Sequence, residues 1–201
     1  RFLCIDRRRR SCRLRAIGAR LALRRQQRGS GWTNRAMILR CLLIGMAWIA
    51  ATPPAWFPGA QALVFVALAG LYTVMTRAGR PWLGAFLIGA VHMLGFSWSI
   101  HHVTWAGYLA IGGLGACYTV LAAWCTRALT PYLGAFGFGI AIAGHAWLRA
   151  HMPEICYPHG PPIHCFYEFP SLLAMLSWGG EPAGNLRLAT FSAWLVDAWH
   201  S

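Results

Sequence analysis

His92 and His145 stand inside long uncharged runs, and Cys156, His159, His164 and Cys165 fall within ten residues of one another. An ionisable side chain at membrane depth is a functional candidate by default. Two histidines on different helices could also ligate a haem iron. Neither is matched by a second His at helical spacing on its own segment, so a hydrogen bond to a neighbouring helix is the simpler expectation. The Cys/His group has a composition zinc would accept. Its spacing fits no standard finger, however, and Pro161 and Pro162 stiffen its centre. A Cys156–Cys165 disulfide is the alternative if this segment lies outside the membrane. Cys41, Cys117 and Cys125 sit in apolar runs and read as small buried hydrophobes. No cofactor and no metal is expected.

The elements that must position these residues are apolar. Residues 41–57, 59–76, 81–100, 103–126 and 131–148 contain no Lys, Arg, Asp or Glu. A helix needs roughly 20 apolar residues to cross a bilayer. Gly and Pro stud these runs at a density common in membrane helices. The expectation is an all-α, polytopic transmembrane bundle of about five to six spans. The first run, after Arg40 and ending near Ala50 and Ala51, also resembles a signal peptide, although Pro53 and Pro54 make a cleavage site awkward. Ala135, Gly139 and Ala143 form a small-residue stripe that admits a close neighbouring helix.

The net charge of +13 is a tail property: residues 1–40 hold 13 Arg and one acid, Asp6. Every cation is Arg, and Lys is absent from the chain. Three readings of residues 1–36 stand side by side: a transit peptide, upstream sequence ahead of Met37, or a disordered polybasic segment drawn to anionic lipid. No aromatic is interleaved between Arg7 and Arg28, so a nucleic-acid partner is not expected.

Cytoplasmic loops favour Arg. A cytoplasmic amino terminus delivers Arg77, Arg80 and Arg127 to the inner side and leaves Arg149 as the first basic residue outside. Trp56, Trp82, Trp98, Trp105, Trp124, Tyr132 and Trp147 lie near segment ends, where they read as interfacial anchors. Residues 149–187 form a Pro-rich extracytoplasmic loop holding Glu154, Glu168 and Glu181; within it, 169–178 is apolar but too short to span. Leu188 to Trp199 then reads as a sixth crossing cut short, so 37–201 is expected to be a membrane domain truncated at its carboxyl end.

The order of these features resembles the apolipoprotein N-acyltransferases of bacterial envelopes. Ala51-Thr52-Pro53-Pro54-Ala55-Trp56-Phe57-Pro58 is similar to the Pro-containing turn after that family's first span. Gly84 to Gly95 followed by Phe96-Ser97-Trp98-Ser99-Ile100 is similar to its Gly-rich helix and Trp motif. Ala146-Trp147-Leu148-Arg149 is similar to a helix end that in the family commonly carries Glu where Ala146 stands. Tyr157-Pro158 occupies the place of a Phe-Pro-Trp loop, with His159 near its Trp, and Gly179-Gly180-Glu181 that of a later turn.

The resemblance runs from about Met37 to Trp199 and implies a multi-pass bacterial inner-membrane protein. The whole protein would pass an acyl chain from a phospholipid to a lipoprotein, and this part would supply anchoring and substrate access. It makes Trp98, His101, His102, Arg149, Glu154, Pro158, His159 and Glu181 lipid- or substrate-facing candidates. The family's Glu-Lys-Cys triad, in a nitrilase-like domain after the helices, cannot be completed by a chain without Lys, so no catalytic residue is assigned. A small non-enzymatic transporter or scaffold is the competing expectation.

Overall fold

In the computed structural model, residues 34–52, 59–152, 160–174, 176 and 179–201 are described. Among them, six helices of fifteen residues or more form: α1 (Asn34–Ala51), α2 (Leu63–Arg77), α3 (Pro81–Phe96), α4 (Trp105–Leu133), α5 (Ala135–His151) and α6 (Gly180–Trp199). Tight 3₁₀ turns occupy Ala60–Ala62, Trp98–His102 and Pro162–Phe166, and a single α-turn Pro170–Leu173. The described residues contain no strand. The expected all-α class is what forms.

Local chemistry sets the boundaries. Pro81 opens α3 at a position where its missing N–H costs nothing. The Thr104 side chain accepts from the Gly107 N–H to cap α4. Gly134, at φ +56°, divides α4 from α5 in a conformation open to Gly. α4 therefore runs through Pro131 to Leu133, and the expected run 131–148 is split between two helices. Arg127 is a residue of α4, not of a loop; its Nη1 donates to the Met75 carbonyl at 3.2 Å and its guanidinium lies 5.7 Å from the Trp82 ring.

Three helical stretches are long and apolar enough to cross a membrane: Asn34–Ala51, Ala60–Arg77 and Trp105–Leu133. The run 81–100 yields only the 16-residue α3, because the chain tightens into a 3₁₀ turn from Trp98. At 1.5 Å per residue that is about 24 Å, short of the ~30 Å hydrocarbon layer. Apolar residues also cover the outer faces: Leu39, Leu43 and Met46 on α1, Val66 on α2, Leu109 on α4 and Phe191 on α6 are exposed. Apolar side chains both inside and outside the bundle match a lipid surround better than water.

Successive helices alternate in direction. α3 packs on α1 and α4, α5 on α4 and α6, and α2 on α1, α3 and α6. Glycines line the seams. A Cβ on Gly89 would strike Thr119 and Ala116, one on Gly115 would strike Met93, and one on Gly139 would lie 2.8 Å from the Leu186 carbonyl. The predicted stripe on α5 thus admits α6 through Gly139. At one end of the bundle Arg77 meets Asp197 at 3.7 Å. The opposite end holds the 3₁₀ turns and the segment 160–174.

Candidate functional site

Near that second end, side chains from four helices converge. His145 and Arg149 are four residues apart on α5 and so share its inner face. His92 lies one turn beyond Gly89 on α3, where the glycine lets α4 approach. α4 contributes Tyr118 and α1 contributes Trp48. The Trp48 and His92 rings stack with centroids 4.4 Å apart and planes 18° apart. Tyr118 meets His145 edge-on at 6.2 Å. The Arg149 charge acts on both imidazoles, and the imidazoles act on each other.

All five side chains are withdrawn from the surface: relative exposure is 2% for Trp48, 3% for His92 and Arg149, and 8% for His145 and Tyr118. Trp48 Nε1, His92 Nε2, Tyr118 OH and His145 Nδ1 are buried and have no hydrogen-bond partner among the described residues. The interhelical hydrogen bond expected of the two histidines is therefore not made through these atoms. A buried unsatisfied polar atom costs about 1–3 kcal/mol, so four in one neighbourhood set this part of the core apart from the rest.

The chain returning to the bundle covers this cluster. Gly160, at φ +81°, passes over Phe96 and His92, and a Cβ there would lie 3.6 Å from His92 Cε1. Pro161, Pro162 and Ile163 are buried behind it. The Ile163 N–H donates to Asn185 Oδ1 at 3.0 Å, tying the cover to α6. Asn185 Nδ2 in turn donates to Glu181 Oε1 at 3.5 Å, and His164 Nε2 lies 3.4 Å from Glu181 Oε2. Cys165 is a buried free thiol, pushed up to about 12 by burial, and so is a poor nucleophile.

The sequence-selected residues separate into groups. Arg149 joins His92 and His145 in the cluster. Glu181 holds the cover to α6. Trp98, His101 and His102, in the α3–α4 connection, form a different aromatic group with the exposed Trp105 and the buried Tyr108 at the start of α4: His101 lies 4.1 Å from Trp98 and 3.9 Å from His102, ring centre to ring centre. The Tyr108 OH anchors that group by donating to the Leu94 carbonyl at 3.0 Å. Trp82, Trp98, Trp105, Trp124, Tyr132 and Trp147 are exposed, as interfacial anchors would be. Glu154, Cys156, Pro158 and His159 lie outside the described residues, as do Trp56 and the tail 1–33.

Tyr118 and Trp48 are the residues that sequence reasoning missed. Both count as apolar in a hydropathy reading, and only their position inside a run, away from the ends where anchoring rings sit, distinguishes them. The described carboxylates are engaged elsewhere: Glu168 with Gln61 and Tyr167, Glu181 with the cover, and Asp197 with Tyr72 and Arg77. No group of three metal-ligating side chains occurs among the described residues. The cluster is therefore four polar ring atoms without a partner among the described residues, gathered beside a buried guanidinium. No family model matches this chain, and neither a curated protein nor a solved structure matches it.

Proposed function

We propose that this chain is the membrane domain of an apolipoprotein N-acyltransferase-like protein of a bacterial inner membrane, with five to six crossings and a cytoplasmic amino terminus. In this reading the bundle anchors a catalytic unit and admits two lipidic substrates from the bilayer, a phospholipid acyl donor and a diacylated lipoprotein. The observation that carries it is the order of the motif-like segments. It is supported by where they fall: Phe96–Ile100, Ala146–Arg149 and Gly179–Glu181 all lie at the end of the bundle that carries the buried cluster. Apolar outer faces and three membrane-length helices fit the same reading.

Domain exchange tests it. Residues 37–201 replace the membrane domain of a working bacterial apolipoprotein N-acyltransferase, and the hybrid is expressed in cells depleted of the native enzyme. Restored growth with triacylated lipoprotein is expected. A hybrid that inserts and is stable but leaves lipoproteins diacylated would favour the scaffold reading. Orientation is checked with single cysteines and an impermeant thiol reagent in intact cells, where the exposed position 167 should label and the exposed position 79 should not.

A further inference from the structure

Away from the cluster, Glu168 follows the 3₁₀ turn Pro162–Phe166 with its side chain exposed. Both of its carboxylate oxygens are nonetheless held: the Tyr167 hydroxyl donates to Oε1 at 2.8 Å, and Gln61 Nε2 donates to Oε2 at 3.2 Å. Gln61 comes from the turn leading into α2, 107 positions away, and is only 5% exposed. Its other amide atom, Oε1, is buried and has no hydrogen-bond partner among the described residues. Water satisfies an exposed carboxylate without help, whereas a half-satisfied buried carboxamide costs stability. The Gln61 contact therefore fixes the direction of the carboxylate more than it strengthens the fold. We infer that Glu168, aimed by Gln61, receives the primary ammonium head of a membrane amphiphile.

Charge and hydrogen-bonding capacity select the head. Both donors to Glu168 are neutral, so the carboxylate keeps its negative charge. The capacity left over belongs to acceptors: carboxylate lone pairs, the Tyr167 oxygen whose hydrogen is already given, and Gln61 Oε1. A primary ammonium brings one positive charge and three donors, and its bonds to a carboxylate are charge-assisted. A quaternary ammonium brings the charge without donors. A calcium ion takes roughly six to eight oxygens, more than one carboxylate and two neutral oxygens supply.

The neighbouring surface selects the tail. Aromatic rings step away from the carboxylate in a continuous column: Phe169 to Phe166 at 6.2 Å, Phe166 to Phe65 at 5.8 Å, Phe65 to Phe191 at 5.9 Å and Phe191 to Trp194 at 6.4 Å. Phe169, Phe191 and Trp194 are exposed along it. Trp194 lies about 21 Å along α6 from its first residue, Gly180, more than half of the ~30 Å hydrocarbon layer. An acyl chain laid on this column leaves its head beside Glu168. The site asks only that this end of the bundle lie at a bilayer surface, and it holds whether or not acyl transfer follows.

The test uses the full chain in dodecylmaltoside micelles at pH 7 and fixed ionic strength. Thermal unfolding is followed while dodecylamine, dodecyltrimethylammonium or ethanolamine is added, for the wild type, Glu168→Gln and Gln61→Leu. Dodecylamine should raise the wild-type midpoint at the lowest concentration of the three, and Glu168→Gln should need about tenfold more of it. Equal potency of dodecyltrimethylammonium would reduce the effect to charge, and equal potency of ethanolamine would leave the column without a role; either overturns the inference. So does a Glu168→Gln response equal to that of the wild type. Gln61→Leu separates aiming from mere packing. Its preference for the primary over the quaternary head should fall at least several-fold, whatever its midpoint without ligand, and an unchanged preference would show that Gln61 does not orient the carboxylate and sink the proposal.

Discussion

Tyr72 on α2 donates its phenolic hydrogen to Asp197 Oδ2 on α6 at 2.9 Å, joining helices 125 positions apart in the chain. The same carboxylate meets Arg77 at 3.7 Å and is 43% exposed. A hydrogen bond to a charged group is worth about 1.5–3 kcal/mol when buried, and solvent screening reduces that here to about 1 kcal/mol. Tyr72→Phe should lower the unfolding midpoint by a few degrees. In a double-mutant cycle with Asp197→Ala, the pair should lose less than the sum of the single changes. Strict additivity would show that the contact carries no energy.

Gly139 and Gly113 should respond oppositely to alanine. A Cβ at Gly139 would press into Thr190 and lie 2.8 Å from the Leu186 carbonyl, a backbone atom that cannot rotate away. Gly139→Ala should therefore push α5 and α6 apart and cost about 1–3 kcal/mol. A Cβ at Gly113 meets nothing within 4 Å, so Gly113→Ala should be neutral or gain up to about 1 kcal/mol from helix propensity. Denaturant titration in mixed micelles compares them, and equal effects would contradict the described α5–α6 seam.

Cys165 reports on the cover. Burial pushes its thiol from the usual 9.0 up to about 12, so at pH 8 the folded protein holds almost no thiolate there. N-ethylmaleimide should label Cys165 only after unfolding. The linkage has a definite sign: between pH 9 and 12 the unfolded chain loses the Cys165 proton and the folded chain keeps it. The associated stability is complete below pH 9 and is lost as the pH rises toward 12. Cys165→Ala should flatten that alkaline decline relative to the wild type.

Asn185→Ala removes the acceptor for the Ile163 N–H and leaves a buried donor unpaired, at a cost of about 1–3 kcal/mol. The cover should then open more often, and Cys165 labelling at pH 8 should accelerate at least several-fold. Unchanged labelling would mean that 160–166 is held by something other than α6.

Residues 1–201 alone should not N-acylate a diacylated lipopeptide. Acyl transfer through a thioester requires nucleophile, base and cation acting as a unit, and a chain without Lys cannot assemble the family's version. Purified protein with phospholipid donor is assayed by mass spectrometry. Triacylated product above a no-protein control would make this chain an enzyme in its own right.

The apolar runs made the helices legible, but counting charges misplaced their ends. The break expected around Arg127 is absent, because Arg127 finds a carbonyl acceptor and an aromatic face within the bundle, and the chain turns instead where Gly134 adopts positive φ. Arg149, expected to open a loop, is buried in the last turn of α5. His92 and His145 were legible singly as ionisable residues at depth. Their convergence was not, because it depends on which faces meet across the glycine seams, and no spacing along one helix encodes a contact between two.

Those seams, at Gly89, Gly115 and Gly139, also govern how the bundle answers temperature. Helices that separate within a bilayer expose their faces to acyl chains rather than to water, so their cohesion is close contact and not the expulsion of water. The large positive heat capacity of unfolding in water comes from newly hydrated apolar surface. Unpacking in lipid should lack most of that term. The stability of the assembled helices then falls nearly linearly with temperature, without the curvature that gives a water-soluble core its cold-denaturation limb.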